Sequence, residues 1–200
     1  MSKNPAFVRN AHDFADELSR VLTATITHTP LRGEPLEGRD TVYLRFRPPN
    51  EDANFRFVQL ENGCWVSIYQ RLVPSEQDPR MVHTAQYSYT YSLGPNPDHD
   101  WLVRYDYDPE KEDDEDYEYP ISHVHVNAKN ATYDEFIKSI KDKYTPLSDI
   151  HLPTDRISLE DFIKHLIVEF KIPVLHGKTQ REALEILDEN RLRFEEKRTR

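Results

Sequence analysis

The chain has 200 residues, 37% hydrophobic and 31% charged, with a formal net charge of −10. That length is enough for one domain with a buried core, and eleven Tyr, nine Phe and two Trp argue against a disordered chain. One cysteine, Cys64, excludes an internal disulfide framework and a cysteine-rich zinc site, and five glycines exclude phosphate cradles of the P-loop or Rossmann kind.

The spacing predicts a first helix over about Pro5 to Thr23, where Ala11, Phe14, Ala15, Leu18, Val21 and Leu22 share one face at the 3.6-residue period. Pro30 to Asp40, with Arg32-Gly33-Glu34-Pro35 and Glu37-Gly38, reads as a loop. From Thr41 to Val126 the period is two. Strands are expected over 41–47, 54–60, 64–72, 85–93, 101–108 and 121–126. Asn62-Gly63 predicts a hairpin through a type I′ turn. Three helices should follow, opened by Thr132 with Glu135, by Ser158, and by Thr179 with Glu182. The expected fold is a single α+β domain over 1–200. An antiparallel meander of five or six strands (about 41–127) is flanked by the N-terminal helix and three C-terminal helices (about 132–197).

The acidity is concentrated. Between Asp106 and Glu118 stand nine acidic residues and one lysine, and the remainder of the chain is nearly neutral. This run predicts a solvated, mobile loop, with RNA or a basic protein as the partners of residues 106–118. No signal-peptide pattern opens the chain and no apolar run is long enough to span a bilayer, so no membrane association and a cytoplasmic location are expected.

The segment with the most chemical promise is Ser122-His123-Val124-His125-Val126-Asn127. Alternation puts His123 and His125 on one strand face and Val124 and Val126 on the other. If the strand from Trp101 is its hairpin partner, Trp101, Val103 and Tyr105 join the valines in the core, and Arg104 and Asp106 share the histidine face. A His exchanges protons near neutral pH, an Asp orients it, and an Arg binds a phosphate. The bland alternative is a solvated sheet face with a cross-strand Arg–Asp pair.

A metal is a further option, with His123 and His125 joined by His151 or Asp106. His151 otherwise reads as a surface residue of a loop before a helix. Tyr87, Tyr89 and Tyr91 alternate, either as a base-stacking platform helped by Arg45, Arg47 and Arg56 or as core beneath helices.

The order Arg104-Tyr105-Asp106, His123-x-His125, His151-Leu152-Pro153 and Ser158-Leu159-Glu160 resembles small uncharacterised prokaryotic proteins of the TumE-like toxin type. The resemblance covers roughly residues 100 to 170. The long first half and the acidic insertion depart from it, and so does the absence of a dense histidine cluster. It implies a toxin or phage-defence setting, with Arg104, Asp106, His123 and His125 as active residues.

The leading expectation is a metal-independent, cofactor-free RNase-like activity, with His123 and His125 as acid and base and Arg104 on the phosphate. The alternative is a non-catalytic interaction protein, such as an antitoxin, immunity protein or complex subunit, docking through its acidic loop.

Overall fold

A computed structural model describes residues 4–46, 57–96, 100–111, 120–127 and 151–198. The first helix, α1 (Pro5–Thr25), opens where Asn4 accepts a hydrogen bond from the Phe7 amide at 3.0 Å and Pro5 occupies the first helical turn. Its buried face holds Phe7, Ala11, Ala15, Leu18 and Leu22, as the 3.6-residue period predicts.

Eight antiparallel strands follow: β1 (Leu31–Pro35), β2 (Val42–Phe46), β3 (Phe57–Gln59), β4 (Trp65–Pro74), β5 (Val82–Ser92), β6 (Trp101–Tyr107), β7 (Ser122–Val126) and β8 (His151–Pro153). Their order is β1-β2-β4-β5-β6-β7-β8, with β3 also paired to β4. The sheet is thus larger than the expected five or six strands. Its additional members, β1 and β8, occupy the two edges, and both lie in segments whose composition reads as loop.

The chain also turns differently between β3 and β4. The Gly63 amide donates to the Leu60 carbonyl at 2.9 Å and only Gly63 has positive φ, at 84°. This is the three-residue loop with glycine at the left-handed position, in place of a type I′ turn in which Asn62 would share that conformation.

The helices α2 (Leu159–Val168) and α3 (Gln180–Arg198) complete the described fold. Ser158 and Asp161 form a capping box at the start of α2, and Thr179 and Glu182 exchange hydrogen bonds before α3. The expected helix from Thr132 lies outside the described residues. No described helix is long and apolar enough to cross a membrane.

The helices α1 and α2 pack on the sheet, and α3 packs on those two helices. Leu44, Ile68 and Tyr89 are fully buried there, and Phe162 of α2 packs on Tyr89 with ring centroids 5.4 Å apart. Tyr87, Tyr89 and Tyr91 are therefore core. Their hydroxyls find internal partners: Tyr89 accepts from Gln70 at 2.6 Å and Tyr87 from the Ile157 amide at 3.0 Å. A base-stacking platform at these tyrosines is ruled out by that burial. Arg45 lies on the opposite face, and Arg47 and Arg56 lie outside the described residues.

The helix-free face carries the polar alternates. Cross-strand register lines up Arg45, Tyr69, Ser88, Asp106 and His123 in one row. Thr90, Arg104, His125 and His151 form the next row.

Candidate metal and acid–base site

Strand parity and pairing build the site. On β6, Arg104 and Asp106 stand two residues apart on the helix-free face. Antiparallel pairing sets them opposite His125 and His123 respectively. β8 then adds His151 directly opposite His125. His151 is thus a strand residue at the sheet edge, not a loop residue near the surface. The structure brings together all five residues that the sequence singles out.

Their side chains converge closely. The Nε2 atoms of His123 and His125 are 2.8 Å apart, and the His151 ring centroid lies 3.9 Å from that of His125 and 5.0 Å from that of His123. One ligand atom from each imidazole falls within 4.8 Å of the others. Asp106 Oδ2 accepts from Arg104 Nε at 2.7 Å and lies 3.3 Å from His125 Nε2. Arg104 NH2 is itself 3.5 Å from that nitrogen.

His123 and His125 are only 2% and 6% exposed, although they face away from the helices. That burial argues against a solvated sheet face. Polar side chains desolvated to this degree cost stability unless their partners compensate.

The electrostatics follow from these partners. Burial alone would raise the Asp106 carboxyl. The His125 hydrogen bond, the Arg104 charge and the Ser88 hydroxyl outweigh it and hold the group at about 2. Asp106 is therefore ionised throughout the physiological range.

Burial pushes His123 below the ordinary imidazole value, against the opposing pull of the Pro120 carbonyl. That carbonyl can only accept, so the Nδ1 that contacts it carries the hydrogen. Neutral His123 consequently turns the lone pair of Nε2 inward, toward His125.

Two features depart from the sequence reading. A register shift between Tyr91 and Ser92 brings Trp101 opposite Ser92, onto the site face. Trp101 therefore leaves the core and stands edge-on to His125, with centroids 6.1 Å apart and the Arg104 guanidinium 5.4 Å above its ring. Val126, expected in the core with Val124, is 42% exposed.

The acidic run is also less uniform than its composition implies. Asp106 belongs to β6, Asp108 accepts from Gln86 at 2.8 Å, and Glu110 pairs with Arg71 at 2.6 Å. All three have partners, although Glu110 remains exposed, and 112–118 lie outside the described residues.

Sequence reasoning missed several contributors. A cleft of about 290 Å³ adjoins the histidines, and Tyr69, Gln86, Ser88 and Asp108 line it beside them. Ser88 could have been found by parity with Thr90. Trp101 could not, because a bulge leaves no signature in composition.

No family model, curated protein or solved structure matches the chain. The TumE-like resemblance therefore rests on its short motifs alone.

Proposed function

We propose that the chain is a metalloprotein in which His123, His125 and His151 hold a divalent transition metal for hydrolytic chemistry. The observation that carries this reading is the convergence of three imidazole nitrogens within 4.8 Å, two of them from buried histidines. A tetrahedral zinc site with Zn–N of about 2.0–2.1 Å spaces its ligand atoms by roughly 3.3 Å. The observed separations, from 2.8 Å to within 4.8 Å, bracket that value.

Three histidines with a further position left for water are a ligand set used in zinc hydration and hydrolysis chemistry, and imidazole donors also suit copper, iron and nickel. His123 adds a second mark. Its Nδ1–H is tied to a backbone carbonyl, the arrangement that orients metal-bound histidines in general.

The metal-free acid–base reading fits less well. An acid and a base acting on one phosphodiester need room for the phosphate between them, whereas here the two Nε2 atoms are at hydrogen-bond distance. Arg104, the intended phosphate ligand, is already engaged by Asp106. Toxin or defence activity would be a setting for either chemistry.

Cobalt(II) titration of the full chain tests the proposal. One equivalent should bind with the visible absorption of a tetrahedral nitrogen–oxygen site, and His151→Ala should lower the affinity at least tenfold. Absence of that spectrum, or a spectrum indifferent to His151, would return the lead to the metal-free acid–base reading.

A further inference from the structure

Asp106 stands in an unusual place for a carboxylate beside a histidine cluster. A carboxylate that merely orients a metal-bound imidazole bonds the ring nitrogen that faces away from the metal. Asp106 Oδ2 instead lies 3.3 Å from Nε2 of His125, the same atom that faces His123 Nε2 at 2.8 Å. It therefore touches one of the three converging ligand atoms while standing outside their set, so it reaches a metal there only by swinging off Arg104.

The same oxygen is the acceptor for Arg104 Nε at 2.7 Å. A metal ion and the Arg104 guanidinium thus compete for one carboxylate oxygen. Arg104 has another resting place, because its guanidinium already lies over the Trp101 ring at 5.4 Å, and its NH2 is 3.5 Å from His125 Nε2. Once released from Asp106, that planar fork borders both the metal and the cleft of about 290 Å³.

Building on the metal reading above, we propose that the metal recruits Asp106 as a further ligand, beside the position left for water, and thereby frees Arg104 to receive a phosphate-ester oxyanion next to the metal. Anion binding is then conditional on metal loading. In the metal-free chain Asp106 neutralises the arginine. In the loaded chain the arginine and the metal present two positive centres to the same oxyanion. Linkage makes the effect reciprocal, so a bound phosphate ester tightens the metal.

The test uses the full chain with zinc and dimethyl phosphate, followed by ³¹P NMR. Dimethyl phosphate should bind the zinc-loaded chain at least tenfold more tightly than the metal-free chain, and Arg104→Gln should abolish that gain. Acetate should not reproduce it.

Zinc affinities then close a double-mutant cycle. Arg104→Gln should raise zinc affinity several-fold by removing the competitor, and the rise should vanish in the Asp106→Asn background. Equal phosphate-ester binding with and without zinc would overturn the inference. So would an additive cycle, or acetate binding as tightly as the phosphate ester. The comparison of loaded and metal-free wild-type chain requires no variant to fold. Failure of zinc to bind at all would sink the metal reading itself, whereas zinc binding with an additive cycle would sink only this inference.

Discussion

The helix-free face of the sheet has two halves built from the same residue types and organised by different rules. On the β1–β4 half, side chains meet in separate pairs. Arg45 pairs with Glu34, and Tyr43 stacks on Tyr69 with centroids 5.8 Å apart. On the β6–β8 half, three imidazoles, one carboxylate and one guanidinium share each other's atoms. The Nε2 of His125 alone has three polar neighbours, from His123, Asp106 and Arg104.

Pairwise satisfaction at a solvated surface is the inexpensive way to decorate a sheet. Crowding several titratable groups onto a few shared contacts in a buried position lowers stability, and such arrangements concentrate where binding or catalysis uses them. The contrast within one face is thus an argument for function that needs no outside comparison.

The largest effect that can break this contrast is metal-dependent stabilisation. A ligand that binds only the folded state adds RT ln(1 + [L]/Kd), about 4 kcal/mol when zinc is present at a thousand times its dissociation constant. Zinc should therefore raise the melting temperature of the wild-type chain by many degrees. His125→Ala should remove that rise, whereas Arg45→Ala should keep it. Equal rises in both variants would place the metal elsewhere.

The next effect is acid sensitivity of the metal-free chain, and its sign follows from the two displaced groups. His123 titrates lower in the folded chain than the ordinary value of 6.5 because burial disfavours its charged form. Its neutral form is the one that suits the fold. Its contribution is therefore full above about 6.5 and is lost as pH falls below that value toward the folded one.

Asp106, at about 2 against an ordinary 3.8, contributes stability above about 3.8 that disappears as pH falls toward 2. That shift corresponds to about 2 kcal/mol. Urea unfolding across pH should show stability falling in two stages, below 6.5 and again below 4. His123→Ala should flatten the upper stage and Asp106→Asn the lower. A single smooth decline, unchanged by both variants, would mean that the buried cluster titrates like the exposed half.

Much of this site was legible because parity is a robust signal. A two-residue period places His123 with His125 and Arg104 with Asp106, and antiparallel pairing of the two strands brings the pairs together. The parts that were not legible share physical causes. Both unanticipated strands are edges that end in proline, Pro35 and Pro153, and proline without an amide hydrogen is tolerated only where no further strand must pair. A run such as Arg32-Gly33-Glu34-Pro35 accordingly reads as a loop, even though Val42 and its neighbours pair with it.

His151 had no strand signature in a three-residue segment, so its alignment with His125 is a product of tertiary pairing. Trp101 moved faces through one bulge, which inverts parity for every residue beyond it. The tyrosines ended in the core, as their base rate favours.

The smallest expected effect sharpens the comparison from the quiet half. Arg45 donates to Glu34 at 2.7 Å through Nε, but the two side chains remain 30% and 34% exposed, and Arg45 also lies 5.8 Å over the Tyr43 ring. Exposed pairs of this kind contribute about 0–1 kcal/mol, because water screens the attraction and two long side chains lose freedom to hold one geometry. Glu34→Gln should thus lower stability by less than about 1 kcal/mol in urea unfolding. The difference should shrink further in 1 M salt, where the screening length falls to about 3 Å. Zinc affinity should not change, since β4 and β5 stand between Arg45 on β2 and Asp106 on β6. A loss above about 2 kcal/mol, or an altered zinc affinity, would show that the halves are energetically coupled along the row Arg45, Tyr69, Ser88, Asp106. The buried cluster would then depend on the surface pairs, and its separate organisation would no longer single it out as the site.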